Sequence, residues 1–206
     1  LEGSGIMLRK ERQPGVPAIE EYLKRTLKRG ETLGFDGRCI MQDSAEKLIT
    51  QLNAQGVAVR TDIDLAGAVW KNRPEFSAQP VWPLPVEYAG ESSQSKIERV
   101  REFLVEKKAD YFLLTSLEDI AWLLNMRGND VESTPVILSY LLLGEKKLTW
   151  YVQEKCLSEK IKILLDMQGI KAAPYAQIYA DVKELPEDAS VYYDKSAVNT
   201  ALVSSL

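Results

Sequence analysis

Four prolines between Asn72 and Tyr88 constrain the fold of this chain more than any other feature of its sequence, namely Pro74, Pro80, Pro83 and Pro85. Proline cannot lie inside a helix, and the residue before it is also turned away from helical geometry. A turn-rich run of glycine and serine follows at residues 90–95. We therefore predict an extended connector and a domain boundary near residue 85, which separates a first block (residues 1–85) from a second block (residues 86–206).

The first block alternates between predicted helices and short strands. Apolar spacing predicts helices over residues 19–27, 45–52 and 64–70, and strands over residues 32–35 and 57–59. Two short strands are too few to cover three helices. We therefore expect part of this sheet to lie upstream. The opening Leu-Glu-Gly-Ser-Gly is typical of a cloning scar or linker, and we expect the chain to begin inside a longer protein.

The second block has the pattern of a more complete α/β domain. Ser95 and Glu98 have capping-box spacing, which predicts a helix start, and Ser116 is predicted to cap a second helix. Residues 136–143 and 148–152 read as an antiparallel hairpin, and the remaining strands, at residues 111–115 and 190–194, alternate with helices. Hairpin and crossover connections together predict a mixed sheet.

The composition excludes several classes of function. The chain has no histidine, so it cannot by itself be a histidine-dependent enzyme or a histidine-ligated metalloprotein. Its net charge is −4, and its densest basic run, at residues 24–29, follows Glu20 and Glu21 as in a helix that complements its dipole, so we expect no nucleic-acid partner.

Membrane insertion and disulfide formation are also not expected. The longest apolar stretch, residues 136–143, is interrupted by Ser139 and is too short to span a bilayer. Cys39 and Cys156 are far apart and form no CxxC motif, which is typical of a reducing compartment. We therefore expect a cytoplasmic protein.

Isolated catalytic motifs have ordinary structural interpretations. Ser44 and Ser93 each precede a lysine by three residues, as in some serine acyltransferases, but both are predicted to cap helices. Asp62 and Asp64 could offer carboxylates to a cation, but one of them is more simply a helix cap.

The loop after the predicted helix of residues 116–124 is the strongest candidate site. Arg127, Gly128 and Asp130 place a guanidinium, a small residue and a carboxylate on one polar turn. Such a turn could form a recognition element, although a turn of this composition is more often an ordinary loop.

This segment also carries a resemblance to a known family. SLEDIAWLLNMRGND at residues 116–130, followed by TPVILSY at residues 134–140, is similar to the middle domain of the aminopeptidase P family of Xaa-Pro metallopeptidases. The similarity extends to PLPVEYAGESSQSKIERVRE, to QPGVPAIEEYL and to the segment from Trp70 to Pro74. It therefore covers nearly the whole chain.

The resemblance implies a parent protein with three domains. Two are creatinase-like amino-terminal α/β domains with mixed sheets of the ribonuclease H type. Residues 1–85 would be the carboxyl-terminal part of the first, with its linker, and residues 86–206 would be the second, either whole or without its end. The third is a pita-bread catalytic domain that binds two metal ions, usually manganese, through two Asp, one His and two Glu. This chain would hold no catalytic residue and no metal ligand.

The resemblance also implies what this part of the chain does. The family's middle domain helps to wall the substrate cleft, which would place Arg127, Gly128 and Asp130 near its mouth. The partners would be the protein's own catalytic domain, small proline-containing peptides and further copies in a homodimer or larger homo-oligomer. Asn129 and the segment of residues 132–134 depart from the family pattern, so loop contacts can differ. A prolidase or creatinase relative, or a catalytically dead binding module, remains the alternative.

Overall fold

The computed structural model describes residues 3–5 and 7–206, so Leu1 and Glu2 of the predicted scar lie outside the described residues. The first block contains α1 (Ile19–Thr26), β1 (Thr32–Gly34), α2 (Gln42–Ala54), β2 (Ala58–Arg60) and α3 (Leu65–Val69). The two strands pair in parallel. The predicted alternation is confirmed, although β2 begins one residue later than predicted. The acidic first turn and basic last turn of α1 are also confirmed.

The connector is extended, as the prolines predict. Residues 73–81 have no regular secondary structure, and β3 (Trp82–Pro83) and α4 (Val86–Ala89) follow. Across residues 3–5 and 7–206, no helix is both long and apolar enough to cross a bilayer.

The second block is built around a five-stranded mixed sheet. Its elements are α5 (Ser93–Lys107), β4 (Tyr111–Leu114), α6 (Leu117–Leu124), β5 (Met126–Arg127), β6 (Ser139–Gly144), β7 (Leu148–Val152), α7 (Glu159–Met167), β8 (Ile170–Pro174), α8 (Ile178–Asp181), β9 (Val191–Tyr192) and α9 (Thr200–Val203). The strand order is β8-β7-β6-β4-β9, with antiparallel pairs in the middle and a parallel pair at each edge. The predicted hairpin and mixed sheet are confirmed.

The predicted serine caps are partly wrong. Ser116 caps α6 as expected, but the cap of α5 is Ser92, whose hydroxyl accepts a hydrogen bond from the Ser95 amide. Ser93 is the first residue of α5, and its Oγ donates to the Leu123 carbonyl at 2.9 Å. Ser44 lies inside α2. A run of serines offers several equivalent caps, and the contact with α6 decides which one is used.

The core lies on both faces of this sheet, and alternate residues point to opposite faces. Leu141 and Trp150 pack on one face with α5, α6 and α7, whereas Leu142 and Tyr151 pack on the other with α8 and α9. The period of two along β6 and β7 therefore produces two apolar layers. Trp150 is fully buried, whereas Trp70, Trp82 and Trp122 are 52%, 38% and 43% exposed.

The end of the chain returns to the first block along a short contact that we term the seam, residues 37–46 with residues 194–201. Met41 and Asn199 form an antiparallel bridge, and the Thr200 hydroxyl donates to the Ile40 carbonyl at 3.0 Å. Lys195 forms an ion pair with Glu46 at 2.9 Å. The boundary near residue 85 stays a prediction.

Candidate functional site

Arg127 lies in β5, directly after the end of α6. Its Nη1 donates to the carbonyl oxygens of Ala121 at 2.6 Å and Met126 at 2.9 Å. The carboxyl end of a helix carries unpaired carbonyls and a partial negative charge, which explains why the guanidinium binds there. Nε and Nη2 have no hydrogen-bond partner among the described residues. The half-buried side chain therefore keeps donors available for a further acceptor.

Gly128 is buried against the following segment of the chain. A Cβ atom at this position would lie 2.6 Å from Cγ1 of Ile137 and 3.3 Å from the Val136 carbonyl oxygen. Glycine is thus required by close packing, and the loop is held tightly against the start of the hairpin.

Asp130 fastens the connector to the loop. Its Oδ1 accepts hydrogen bonds from the Ser77 hydroxyl at 2.7 Å and the Gln79 amide at 3.0 Å. Its Oδ2 accepts one from the Leu138 amide at 3.0 Å. Both carboxylate oxygens are therefore engaged within the protein. Of the three predicted residues, Arg127 alone presents free donors, while Gly128 and Asp130 shape and anchor the loop.

The connector is held at further points on the second block. The Val81 amide donates to the Cys156 carbonyl at 3.0 Å, and Lys155 pairs with Glu75 at 2.9 Å. Cys156 is buried beneath this contact, and burial, with a smaller effect from the charge of Asp130, raises the pKa of its thiol to about 11. The thiol is therefore an inert part of the core.

Asn125 and Lys96 support the other end of the loop, and neither is among the residues predicted for the site. Asn125 ends α6 in the left-handed conformation, with φ of 52°, and its Nδ2 donates to the Glu91 carbonyl at 2.9 Å. The backbone carbonyl of Asn125 accepts a hydrogen bond from the Leu84 backbone amide at 2.7 Å. Its side-chain Oδ1 accepts one from Lys96 Nζ at 2.7 Å. Asparagine at a helix end is a recognised signal for this cap. The burial of Lys96 has no comparable sequence signal.

The described residues do not fit a metal centre. Within residues 3–5 and 7–206, no group of three or more Cys, Asp or Glu side chains could hold an ion. Asp64 caps α3 through the Gly67 amide and also pairs with Arg38 at 2.8 Å, while Asp62 pairs with Arg60 at 2.8 Å. The prediction that one of these two carboxylates caps the helix is confirmed, and the cap is Asp64.

Fold and site together define an α/β domain with a mixed sheet and a loop fastened to an extended amino-terminal connector. A family model for the creatinase/prolidase N-terminal domain matches residues 72–206. The chain belongs to this family.

Named relatives support the resemblance to aminopeptidase P. The chain is 30% identical to Xaa-Pro aminopeptidase app-1 of Caenorhabditis elegans, over 99% of this chain and 34% of the relative. It is 33% identical to a probable Xaa-Pro aminopeptidase P of Phaeosphaeria nodorum, over 92% of this chain and 29% of the relative. The chain thus spans about a third of the length of these relatives.

A solved structure has the same fold. The crystal structure of X-prolyl aminopeptidase from Caenorhabditis elegans, described as a cytosolic enzyme with a di-nuclear active site, superposes with a TM-score of 0.88 at 29% identity. The match covers 97% of this chain and 34% of that one. The predicted creatinase-like fold is confirmed.

Proposed function

We propose that this chain is the non-catalytic amino-terminal part of a cytoplasmic, metal-dependent Xaa-Pro aminopeptidase. It comprises the end of a first creatinase-like domain, up to about residue 85, and a second such domain from residue 86. Its similarity to named Xaa-Pro aminopeptidases along nearly its whole length supports this proposal. The parent enzyme hydrolyses the bond between an amino-terminal residue and a following proline.

In this proposal the metal chemistry belongs to a separate catalytic domain. The solved relative has a di-nuclear active site, and we propose two divalent ions, manganese by preference, for the parent of this chain. The described residues supply no suitable donor cluster, so their contribution is to binding and shape. The partners are the protein's own catalytic domain, small proline-containing peptides and further copies of the same protein in a homo-oligomer.

The observation that supports the cleft-walling role is the part of the Arg127 guanidinium that makes no hydrogen bond to the described residues. Nη1 is held by two carbonyls, which leaves Nε and Nη2 without a partner among those residues. A planar guanidinium with two free donors suits a peptide carbonyl or carboxylate. Asp130 joins the loop to the connector, and Gly128 packs it against the start of the hairpin. In this proposal Arg127 contacts a peptide at the edge of the cleft.

Replacement of Arg127 by alanine in the full-length protein tests this role. We expect KM for an Xaa-Pro peptide to rise about tenfold, since a hydrogen bond to a charged group is worth roughly 1.5–3 kcal/mol. Arg101→Ala is the matched control, because Arg101 lies in α5, outside the loop of residues 127–130, and its Nε donates to the Gly144 carbonyl at 3.4 Å. Unchanged kinetics in Arg127→Ala would remove the loop from the cleft. A full-length protein that cleaves no Xaa-Pro peptide would favour a binding module instead.

A further inference from the structure

Lys96 is a buried cation without a direct carboxylate partner. The residue is 1% exposed, and its Nζ donates to the Trp122 carbonyl at 2.9 Å and to Asn125 Oδ1 at 2.7 Å. Glu91 forms its ion pair with Arg99 instead. No carboxylate in the described part of the chain lies within 4.0 Å of Nζ. A buried charge without an ionic partner is costly, so its presence requires an explanation.

The end of α6 offsets part of this cost. Lys96 Nζ lies 4.7 Å from the centroid of the Trp122 ring, where the ring face attracts a cation. It also lies at the negative end of the helix dipole. Burial still lowers the pKa of the Lys96 amine; the charge of Glu91 opposes this effect, and Arg127 and Arg99 add to it.

The same helix end holds Arg127. Nη1 of Arg127 binds the Ala121 carbonyl and Lys96 binds the next one, that of Trp122. Lys96 also holds Asn125, the left-handed residue that turns the chain out of α6 and into β5. Asn125 therefore connects the ammonium group to the backbone from which Arg127 projects.

We infer that Lys96 is a positioning residue for Arg127: through Asn125 and the last turn of α6, it fixes the direction of the free guanidinium donors. This inference rests on the proposed function, in which Arg127 contacts the peptide substrate. Lys96 itself is buried and touches no substrate. Its removal should therefore weaken peptide binding only as far as Arg127 contributes to it.

The test is a double-mutant cycle in the full-length, metal-loaded protein. Lys96→Met keeps the length and apolar body of the side chain and removes the ammonium group. We expect KM for an Xaa-Pro peptide to rise about tenfold with kcat within a factor of about two, since small displacements of a binding group cost up to 100-fold. In the Arg127→Ala background the same substitution should have almost no further effect on KM. Lys107→Met, an exposed position on the same helix, is the control and should leave KM unchanged.

A second variant covers the case in which Lys96→Met does not fold. Asn125→Gly preserves the left-handed turn, since glycine adopts it freely, and removes the amide that Lys96 holds. It should give the same rise in KM and the same lack of additivity with Arg127→Ala. Additive effects, or an unchanged KM in a folded variant, would overturn the inference. If the wild-type protein cleaves no Xaa-Pro peptide, the proposed function fails instead, and the two failures remain distinct.

Discussion

The first and second blocks of this chain have similar elements but very different cores. The second block buries apolar side chains on both faces of a five-stranded sheet. In the described part of the first block, four apolar residues are buried. Ala45, Leu52 and Val57 lie around a two-stranded sheet, whereas Val81 of the connector packs into the core of the second block. Helices α1 and α3 bury none of their residues. Burial of apolar area is the main source of folding free energy, so the second block is expected to hold most of the stability.

The difference teaches that the first block depends on contacts outside itself. Its α2 is held by the seam with the end of the chain, where the Gln42 amide donates to the Val198 carbonyl at 2.9 Å. Asn199 joins both blocks, because it bridges Met41 and its Nδ2 donates to the Tyr140 and Tyr179 hydroxyls at 3.1 Å. The seam is therefore the point at which the contrast between the blocks can be tested.

The largest expected effect comes from Trp150→Ala in the sheet of the second block. Trp150 is 0% exposed, and truncation of a buried tryptophan costs about 3–5 kcal/mol in the free energy of unfolding. Trp70→Ala is the matched control in the first block; because that side chain is half exposed, we expect a change within about 0.5 kcal/mol. Urea titration followed by circular dichroism measures both. Equal losses would contradict the contrast between the cores.

A moderate and local effect is expected from Asn199→Ala. This change removes the cap of α9 and the hydrogen bonds to both tyrosines, at a cost of about 1–3 kcal/mol. Hydrogen exchange should show loss of protection in α2 while β6 and β7 stay protected, because the seam opens before the sheet. Asn53→Ala, at an exposed position of α2, should leave this pattern unchanged. Loss of protection confined to the sheet would contradict the expectation that the seam opens before the sheet.

The smallest effect is expected from Glu46→Gln, and it depends on pH. The Lys195 ammonium group lowers the pKa of the Glu46 carboxyl from its ordinary value of 4.5, so the pair stabilises the native state above that value. This contribution is lost as the pH falls through the lowered pKa. Thermal melting should show a slightly less stable variant at neutral pH and no difference once Glu46 is protonated. A difference in melting temperature that persists in acid would show that the charge of Glu46 does not cause the loss of stability.

Much of the fold could be predicted from the sequence because local patterns and tertiary packing agree. The apolar runs at residues 136–143 and 148–152 predicted the hairpin, and the prolines predicted the extended connector. The cap of α5 was predicted incorrectly because several serines fit it locally, and the contact of Ser93 with α6 selects Ser92. Which tryptophans are buried could not be predicted either, since hydrophobicity alone does not say which surface is covered.

The candidate site was predictable only in part. Arg127 and Asp130 stand out on a polar turn after an amphipathic helix, and the structure places them at either end of one fastened loop. Lys96 could not be recognised, because lysine is almost always exposed and its burial depends on Trp122 and Asn125, which are about 30 residues away. The anchoring of Asp130 on the connector likewise joins residues far apart in sequence.

The most direct test of the central claim compares cleavage of an Xaa-Pro peptide by residues 1–206 and by the full-length protein, each with manganese added. The account predicts hydrolysis by the full-length protein and none by residues 1–206, because the proposed metal ions belong to a separate catalytic domain. Manganese-stimulated cleavage by residues 1–206 alone would contradict it.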